Sequence, residues 1–326
     1  MKDVYRTNNH PGLHAAAEWL LRQWNEDDFV AKTNDAWAKD ASARNAGIRE
    51  IERQFRDGKG AASPRWYVSG QGQTMVCVPG PLLFQMGSPA TEAGRFAPEE
   101  LHPMSIDRSY AIGSKAVTVS QFKRFRSQHK FTERYAAKPD CPVITISWLS
   151  AAAYCNWLSE QEGIPPDQWC YEADADGKVV RMKEGYLQLA GYRLPTDAEM
   201  EFASRAGTRT SRYFGETDEL LPHYGWYVNN SEDRTQPVGL KKPNDLGLFD
   251  AYGNVWNWCQ DTVTKTNRPT VDREQTLEID FQENRILRGG CFVVRPWNMR
   301  SANFDWNVPT HQNIFYGFRV AKTIAR

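Results

Sequence analysis

The sequence predicts an α+β fold with little regular secondary structure, preceded by N-terminal helices. Three observations support this prediction. Apolar residues recur at helical spacing between residues 12 and 57. From Arg65 onward, short apolar stretches are interrupted by proline and glycine, as in MVCVPGPLLFQMGSP. The 326 residues include 12 Trp, 23 Gly and 18 Pro, a composition typical of a loop-rich domain with an aromatic core.

Two amphipathic segments predict the N-terminal helices. The first, GLHAAAEWLLRQW, is expected to bury a face that contains Leu13, Ala16, Ala17, Leu20 and Trp24. The second, SARNAGIREIERQFRD, places Ile51 and Phe55 on an apolar side and charged residues on the other. The stretch GKGAASP that follows is typical of a linker.

This linker divides the chain into two predicted parts. We expect a helical N-terminal extension over residues 1–60 and a second domain over residues 61–326. Within the second domain, the sequence from Gly163 to Gly191 predicts an inserted hairpin.

Hydroxyl side chains mark the starts of three helices in the second domain. Ser120 is the expected N-cap in KAVTVSQFKRFRSQ, and Ser147 or Ser150 is the expected N-cap in ITISWLSAAAYCNWL. Thr196 begins TDAEMEFASRAG, and Glu199 stands three residues later, which predicts a capping box.

Charge and composition exclude several classes of partner. The chain carries 40 Lys plus Arg and 40 Asp plus Glu, so we expect no general affinity for nucleic acid or for an anionic membrane. No apolar run approaches the ~20 residues that span a bilayer. The start, MKDVYRTNNHPG, lacks the apolar stretch of a secretory signal, and we expect a cytoplasmic location. The 6 Cys form no CxxC pair, which argues against a zinc ribbon.

An ordered set of short motifs identifies a family. FQMGSP, VTVSQF, SWLSAAAYCNWL, YRLPTDAEMEFASRAG, GLFDAYGNVWNWCQD, RILRGG and YGFRVAK occur in this order between Trp66 and Lys322. Together they resemble the formylglycine-generating enzyme family, also called the sulfatase-modifying factor family. The resemblance implies a C-type-lectin-like fold. PGLHAAAEWLLRQW is similar to the helical lead-in of members attached to bacterial signalling proteins such as kinases.

The resemblance does not by itself decide function, because the family includes copper oxidases, iron-dependent sulfoxide synthases and non-enzymatic ligand-binding proteins. The oxidases hold copper through two cysteines, and their positions fall here on Val294 and Met299. Since Cu(I) requires soft thiolate ligands, the sequence predicts no copper oxidase. An iron site would need His10, His14 and Glu18. We expect His10 to precede the helix, and His14 and Glu18 to lie on the helix surface.

Two acidic residues of the second domain are candidates for ion pairs. Asp261 and Asp305 stand near several arginines in the sequence, and an ion pair is the expected role of each. The chain contains neither a GxSxG nucleophile elbow nor a phosphate-cradling loop.

The segment LFDAYGNVWNW resembles a structural calcium loop of the family. Its ligands would be Asp250, the carbonyl groups of Gly253 and Val255, and the side chain of Asn257. The family usually has glutamate at the last position, so the site is expected to be weak. No other cofactor is expected.

The C-terminal segment, residues 291–316, mixes apolar, aromatic and amide side chains without a helical or strand period. It resembles the variable region of proteins that bacterial diversity-generating retroelements alter, because many of its residues are reachable from an asparagine codon by adenine substitution. We therefore predict a non-catalytic protein that binds an unknown protein or small molecule here. The candidate residues are Val293, Val294, Trp297, Asn298, Phe304, Asp305, Trp306, Asn307, His311, Asn313, Ile314, Phe315 and Tyr316.

Alternatives to this prediction remain open at the level of sequence. The chain could be a metal-dependent oxidase of the formylglycine-generating or sulfoxide-synthase type, or a regulatory sensor domain of a bacterial signalling protein. The aromatic residues Phe292, Trp297, Trp306 and Phe318 could also belong to the core.

Overall fold

The computed structural model describes residues 1–58, 63–263 and 269–324, and it confirms an α+β fold with N-terminal helices. The helices of the N-terminal region are α1 (Lys2–Thr7), α2 (Pro11–Gln23), α3 (Asp27–Lys39) and α4 (Ala41–Gly58). Those that follow are α5 (Val119–Phe125), α6 (Trp148–Gln161), α7 (Asp197–Arg205) and α8 (Leu221–Tyr224). None of the described helices is both long and apolar enough to cross a bilayer.

The strands are short and form several small sheets. They are β1 (Arg65–Val68), β2 (Thr74–Val78), β3 (Leu82–Met86), β4 (His102–Ile106), β5 (Ser109–Gly113), β6 (Tyr171–Ala173), β7 (Val179–Met182), β8 (Tyr192–Arg193), β9 (Gly225–Trp226), β10 (Tyr252–Gly253), β11 (Trp256–Thr262), β12 (Arg285–Arg288), β13 (Phe304–Asn307), β14 (Tyr316–Phe318) and β15 (Ala321–Ile324). The antiparallel pair of β6 and β7 is the predicted inserted hairpin.

Two sheets organise the second domain. A five-stranded sheet has the order β1-β2-β5-β15-β8, in which β15 lies between β5 and β8 and so joins the last described strand to earlier parts of the domain. A four-stranded sheet has the order β13-β12-β11-β14, in which β11 and β14 run parallel and the other neighbours antiparallel. This second sheet carries the C-terminal candidate segment.

Two buried tryptophans attach helix α6 to the four-stranded sheet. Trp148 Nε1 donates to the carbonyl oxygen of Cys259 at 2.9 Å, and Trp258 Nε1 donates to that of Ile146 at 2.9 Å. Both rings are fully buried. Ser147 caps α6 as predicted, accepting from the backbone N–H of Ser150. The two reciprocal hydrogen bonds give the sheet a rigid support.

The helix caps are partly as predicted. Thr196 and Glu199 form the expected capping box at α7. At α5 the prediction was wrong by two residues, because Thr118 rather than Ser120 is the N-cap and forms a capping box with Gln121. A threonine followed three residues later by glutamine satisfies two orphan N–H groups at once, whereas Ser120 lacks such a reciprocal partner.

The N-terminal region contains two helices that the sequence did not indicate, α1 and α3. The predicted face of α2 was wrong in part: Leu13 and Trp24 are 53% and 58% exposed, whereas Ala17 is buried as predicted and Leu21 is buried beside it. Alanines on this helix allow α1 and α3 to approach closely, so the face of α2 that carries small side chains is buried. On α4, Ile51 and Phe55 are buried as predicted.

The N-terminal helices make close contacts with the second domain. Trp66 Nε1 donates to the carbonyl oxygen of Asn8 at 2.8 Å. A Cβ atom at Gly12 would lie 2.1 Å from the carbonyl oxygen of Asp245, so this approach requires glycine. Ile51 and Phe55 belong to the main hydrophobic core. The predicted boundary between residues 60 and 61 and much of the predicted linker lie outside the described residues, and this division stays a prediction.

His14 and Glu18 are not surface residues, which corrects the expectation for α2. The His14 ring stacks between Tyr5 and Trp66, with centroid distances of 4.4 and 3.6 Å. Its Nδ1 donates to the carbonyl oxygen of Tyr5 at 2.8 Å. Glu18 pairs with Arg22 and with Lys115, which ties α2 to the second domain. Burial lowers the pKa of His14 to about 4.

Candidate ligand-binding surface

The two ends of the C-terminal segment are fixed by backbone geometry and by a buried arginine. Gly289 and Gly290 have φ values of 96° and 80°, which favour glycine. At the other end, the fully buried Arg319 donates to the carbonyl oxygens of Ser114 at 2.7 Å and Asp250 at 2.9 Å. The segment is therefore held at both ends by the domain's scaffold.

A further anchor within the segment escaped the sequence analysis. Arg300 forms ion pairs with Glu92 at 2.7 Å and with Glu99 at 2.6 Å. Asn303 Nδ2 donates to Glu99 Oε1 at 3.0 Å. Both partners precede the segment by about 200 residues in the chain, so no local pattern could indicate them.

The segment also contains regular structure, which corrects the expectation of an irregular stretch. Strand β13 pairs with β12, and β14 pairs with β11. Because side chains alternate along a strand, Phe304 and Trp306 lie on the sheet face shared with Ile286, while Asp305 and Asn307 lie on the opposite face. The candidate residues of β13 therefore belong to two surfaces.

Asp305, Asn307, His311 and Tyr316 form a group that we call the Tyr316 patch. Asn307 Nδ2 donates to the Tyr316 hydroxyl at 3.1 Å, although their strands occupy opposite edges of the sheet. The His311 and Tyr316 rings lie 5.8 Å apart. Tyr316 itself is 6% exposed and rests edge-on against Trp258 at 5.2 Å. The patch thus bridges the sheet above a buried tryptophan.

Asp305 has no ion-pair partner among the residues that the structure describes, contrary to the sequence expectation. Its carboxylate accepts the N–H of the next residue, Trp306, at 2.9 Å. Burial raises the pKa of Asp305 above its usual range. A half-buried carboxylate without a cation is suited to a ligand that supplies a hydrogen-bond donor or a positive charge.

The remaining candidate residues lie elsewhere on the domain. Trp297 and Trp306 are 48% and 43% exposed, and the Arg295 guanidinium lies 5.0 Å from the Trp297 ring. Asn298 is half-buried in the turn of residues 296–298. The structure does not bring all the candidates together. The partly buried candidates that pack against the hydrophobic clusters are Val293, Val294, Phe304, Ile314 and Phe315. The Asn313 carbonyl accepts the N–H of Thr145 at 2.9 Å.

The two positions predicted for copper ligands are part of an apolar cluster. Met299 is fully buried in a cluster with Tyr227 and Tyr252, and Val294 packs against the same cluster. A Cβ atom at Gly290 would lie 3.1 Å from Met299 Sδ and 3.2 Å from Val294 Cγ2. One thioether beside an isopropyl group does not provide the two thiolates of a Cu(I) site. The residues present do not fit copper.

The candidate calcium loop meets the requirements of its ion only in part. Asp250 Oδ1 and Asn257 Oδ1 are buried without a hydrogen-bond partner among the described residues. Asp250 Oδ2 accepts the N–H of Gly239 at 2.9 Å. Burial raises the pKa of Asp250, and the nearby positive charges of Arg319, Lys115 and Lys241 oppose this rise. The Asn257 amide donates to the Val255 carbonyl at 3.0 Å, so this predicted calcium ligand already accepts a hydrogen bond. Calcium prefers several anionic oxygens, whereas this loop offers one carboxylate amid positive charge. No group of three His, Cys, Asp or Glu side chains suited to a metal occurs among the described residues.

A comparison with family models decides the chain's relationship. The model described as the sulfatase-modifying factor enzyme 1-like domain matches residues 63–324. The chain belongs to this family. The membership accounts for the order of motifs from FQMGSP to YGFRVAK and confirms the resemblance found in the sequence.

Curated relatives carry different names within the sulfatase-modifying factor family. The chain is 32% identical over 204 residues to the formylglycine-generating enzyme of Streptomyces coelicolor, covering 56% of this chain and 53% of that enzyme. It is 34% identical over 186 residues to the serine/threonine-protein kinase pkn1 of Chlamydia pneumoniae, covering 56% of this chain and 24% of the kinase. The chain thus spans about half the length of the enzyme and a quarter of the kinase.

Solved structures confirm the fold. Treponema denticola variable protein 1 superposes with a TM-score of 0.63 at 24% identity, over 77% of this chain and 95% of that protein. PvdO from Pseudomonas aeruginosa superposes with a TM-score of 0.64 at 23% identity, over 79% of this chain and 97% of that protein. The sulfatase-modifying factor scaffold is therefore shared by proteins of diverse names.

Proposed function

We propose that this chain is a non-catalytic ligand-binding protein on the formylglycine-generating-enzyme scaffold, with its binding surface on residues 291–316. The observation that carries the proposal is the apolar cluster at the two copper-ligand positions, where Val294 and the buried Met299 both lie beside Gly290. Without a thiolate pair the scaffold lacks the centre that would activate oxygen.

The Tyr316 patch supplies the side chains that such a surface needs. Tyr316 is held by Asn307 and Trp258, so it loses little freedom when a ligand binds. Asp305 and His311 stand beside it as polar groups with remaining hydrogen-bonding capacity. Rigid aromatic rings with adaptable polar neighbours are typical of binding surfaces that change specificity by substitution.

The likeness to a variable protein supports a narrower proposal, that the C-terminal segment is diversified by a retroelement. The buried anchors Arg300 and Arg319 would keep the scaffold constant while half-buried positions between them change. The flanking DNA gives a direct readout: a near-copy of the 3′ coding end that differs only at adenines, close to a reverse transcriptase gene, supports the proposal.

We also propose a cytoplasmic location and a protein or small molecule as the ligand, not nucleic acid or a membrane. All six cysteines are buried free thiols, which suits a reducing compartment. The net charge of zero supplies no general attraction to polyanions.

A peptide selection tests the proposed surface. A phage-displayed random peptide library is panned against the full chain, and recovered peptides are titrated against an Asp305→Ala, His311→Ala variant. We expect at least about tenfold weaker binding to this variant, since polar contacts at an interface centre contribute about 2 kcal/mol each. The matched control, Trp24→Ala, changes a residue that is 58% exposed on α2 and should bind the peptides as the parent does.

The comparison between the two variants decides the outcome. Peptides that bind the patch variant and the parent equally well contradict the placement of the surface. Loss of binding in the Trp24→Ala control as well would place the recovered peptides on the N-terminal helices instead.

A further inference from the structure

Strand β3 has a free edge. Among the described residues it pairs only with β4, with Leu83 opposite Ser105 and Gln85 opposite Pro103. The N–H and the carbonyl group of Ser105 bond to residues 270–272 at 2.8 Å, on the far side of β4. Because backbone groups point alternately to the two sides of a strand, those of Leu83 and Gln85 point away from β4. Pro103 has no N–H, which agrees with this direction.

The next outward position of this edge is already closed by side chains of α7. The Gly87 N–H donates to Glu201 Oε1 at 2.8 Å, and Arg205 Nη2 donates to the Gly87 carbonyl oxygen at 2.6 Å. Glu201 and Arg205 thus take the place of a neighbouring strand. No described residue does so for Leu83 or Gln85. Two N–H and two carbonyl groups therefore remain available for a further strand.

Apolar side chains surround the free edge. Leu83 is 77% exposed, although it stands in the middle of the strand. A cavity of about 260 Å³ lies beside the edge, and Phe84 and Phe202 line it with their rings 5.3 Å apart in an edge-to-face contact. Proteins usually protect a free edge with charged side chains or proline, so an exposed leucine there favours a binding partner.

The cavity also carries a positive charge without a counter-ion. The loop after α7 contributes Arg209, which is exposed and forms no ion pair or hydrogen bond with the part of the chain that the structure describes. Arg205, the other arginine of the lining, pairs with Glu201 at 2.8 Å. The lining contains no Asp or Glu. This charge favours an acidic side chain in the ligand.

We propose that the free edge of β3 binds an extended, acidic peptide segment of a partner protein as an additional strand. Backbone hydrogen bonds to Leu83 and Gln85 hold the segment. Every second side chain of the segment faces the cavity. There an apolar side chain contacts Phe84 and Phe202, and an acidic one pairs with Arg209. This edge is separate from the Tyr316 patch, so it adds a binding activity to the proposed function.

A second copy of this chain fits the edge less well. Strand β3 itself, LLFQM, contains no acidic residue that could pair with Arg209. Symmetrical pairing of two β3 strands would bring two positively charged cavities to one interface, which is unfavourable. The charge of the lining therefore indicates a segment of a different, acidic partner.

Titration with a synthetic peptide tests this edge. The probe is a heptapeptide with blocked ends, Thr-Glu-Thr-Phe-Thr-Glu-Thr, whose sequence is the same in both directions. In a strand it carries phenylalanine and glutamate on one side and threonine on the other. Binding of a fluorescently labelled form to the full chain is measured by anisotropy. We expect a Kd below about 1 mM.

Two N-methylated forms of the heptapeptide test the backbone hydrogen bonds. One is methylated on its threonines, and the other on its phenylalanine and glutamates. Since only every second N–H of a strand faces its neighbour, one form should bind at least about tenfold more weakly and the other as the unmodified peptide does. Equal affinities of the two forms would overturn the proposal.

Substitutions in the chain locate the bound peptide. Arg209→Glu should weaken binding at least about tenfold, because it reverses the charge beside the acidic side chain. Arg56→Glu makes the same change at an exposed position of α4 and should leave binding unchanged. Gln85→Pro removes an outward N–H and should also weaken binding at least about tenfold. The result for Arg209→Glu decides the outcome even if Gln85→Pro does not fold.

Three further results would overturn the proposal. They are the absence of binding by the parent chain, equal binding by the parent and Arg209→Glu, and a dimerisation of the chain that Gln85→Pro abolishes, since a second copy would then occupy the edge. The Asp305→Ala, His311→Ala variant should bind the heptapeptide as the parent does, which separates this edge from the proposed function. Loss of binding in that variant would place the peptide on the Tyr316 patch instead.

Discussion

The Val294 side chain and the Met299 thioether both lie beside the backbone of Gly290. A Cβ atom at Gly290 would lie 3.1 Å from Met299 Sδ and 3.2 Å from Val294 Cγ2. Met299 is fully buried among aromatic rings, so it belongs to the core of the domain. The two positions that hold copper in the oxidases of this family are therefore adjacent in space here and serve packing.

This adjacency predicts that two substitutions create a copper site. Val294→Cys combined with Met299→Cys places two thiols beside Gly290, and two thiolates suffice to hold Cu(I). We expect the double variant to gain Cu(I) affinity by at least about tenfold over the parent, measured by competition with a chromogenic Cu(I) chelator. The matched control is Val294→Ser with Met299→Ser, which should gain none. Equal Cu(I) affinity of the parent and the double cysteine variant would contradict the account.

Three tryptophans of the C-terminal region differ in burial, and their substitution tests which positions lie on the surface and which in the core. Trp297 and Trp306 are about half exposed, and each change to alanine should alter the free energy of unfolding by less than about 0.5 kcal/mol. Trp258 is fully buried and donates to the Ile146 carbonyl, so Trp258→Ala should cost about 3–5 kcal/mol. Urea unfolding of the three variants checks this. A cost of several kcal/mol at both Trp297 and Trp306 would place them in the core.

The buried His14 predicts a dependence of stability on pH. Its pKa is about 4 in the folded chain, against 6.5 for a free histidine, because burial disfavours the charged ring. The folded state therefore binds its proton at lower pH than the unfolded state does. The contribution is complete above pH 6.5 and decreases as the pH falls through 6.5 towards 4, with a loss of about 2 kcal/mol at pH 5.

A matched variant isolates the contribution of His14. His14→Phe retains a ring between Tyr5 and Trp66 but cannot titrate. Urea unfolding at pH 7.5 and pH 5 should show a decrease for the parent that exceeds the decrease for the variant by about 2 kcal/mol. The same decrease in both proteins would mean that His14 is hydrated or already charged in the folded state.

Helix α4 tests how closely the N-terminal region is joined to the second domain. Phe55 is 5% exposed within the main core, so Phe55→Ala should cost about 3–5 kcal/mol in a single cooperative transition. Leu13→Ala, at a residue 53% exposed on α2, should cost less than about 0.5 kcal/mol. A cost below about 1 kcal/mol for Phe55→Ala would show that residues 1–60 form an independent extension.

Much of the fold could be predicted because its signals are local or repeat in order. The capping box of Thr196 and Glu199 lies within four residues, and the family motifs fix the order of the strands. The face of α2 could be predicted only in part, because an alanine-rich helix has two apolar sides and the packing of α1 selects one. His14 and Glu18 were misplaced for the same reason.

The candidate site was harder to predict because its contacts are distant in the chain. Glu99 reaches Arg300 across about 200 residues, and β13 and β14 are too short to show a clear alternation. Asp261 and Asp305 look like ordinary partners for arginine in a sequence with many arginines. Only the fold shows which carboxylates pair with an arginine, as Asp197 does with Arg288 and Asp272 with Arg108.

The most direct test of the central claim is the reaction that the copper enzymes of this family perform. The purified full chain is incubated with a cysteine-containing sulfatase peptide, copper and oxygen, and the peptide is analysed by mass spectrometry for loss of the thiol and gain of an aldehyde. Because Val294 and Met299 provide no thiolate, we expect the cysteine to remain intact, while the Streptomyces coelicolor enzyme as a positive control converts it. Conversion of the peptide to the aldehyde by this chain would contradict a non-catalytic function.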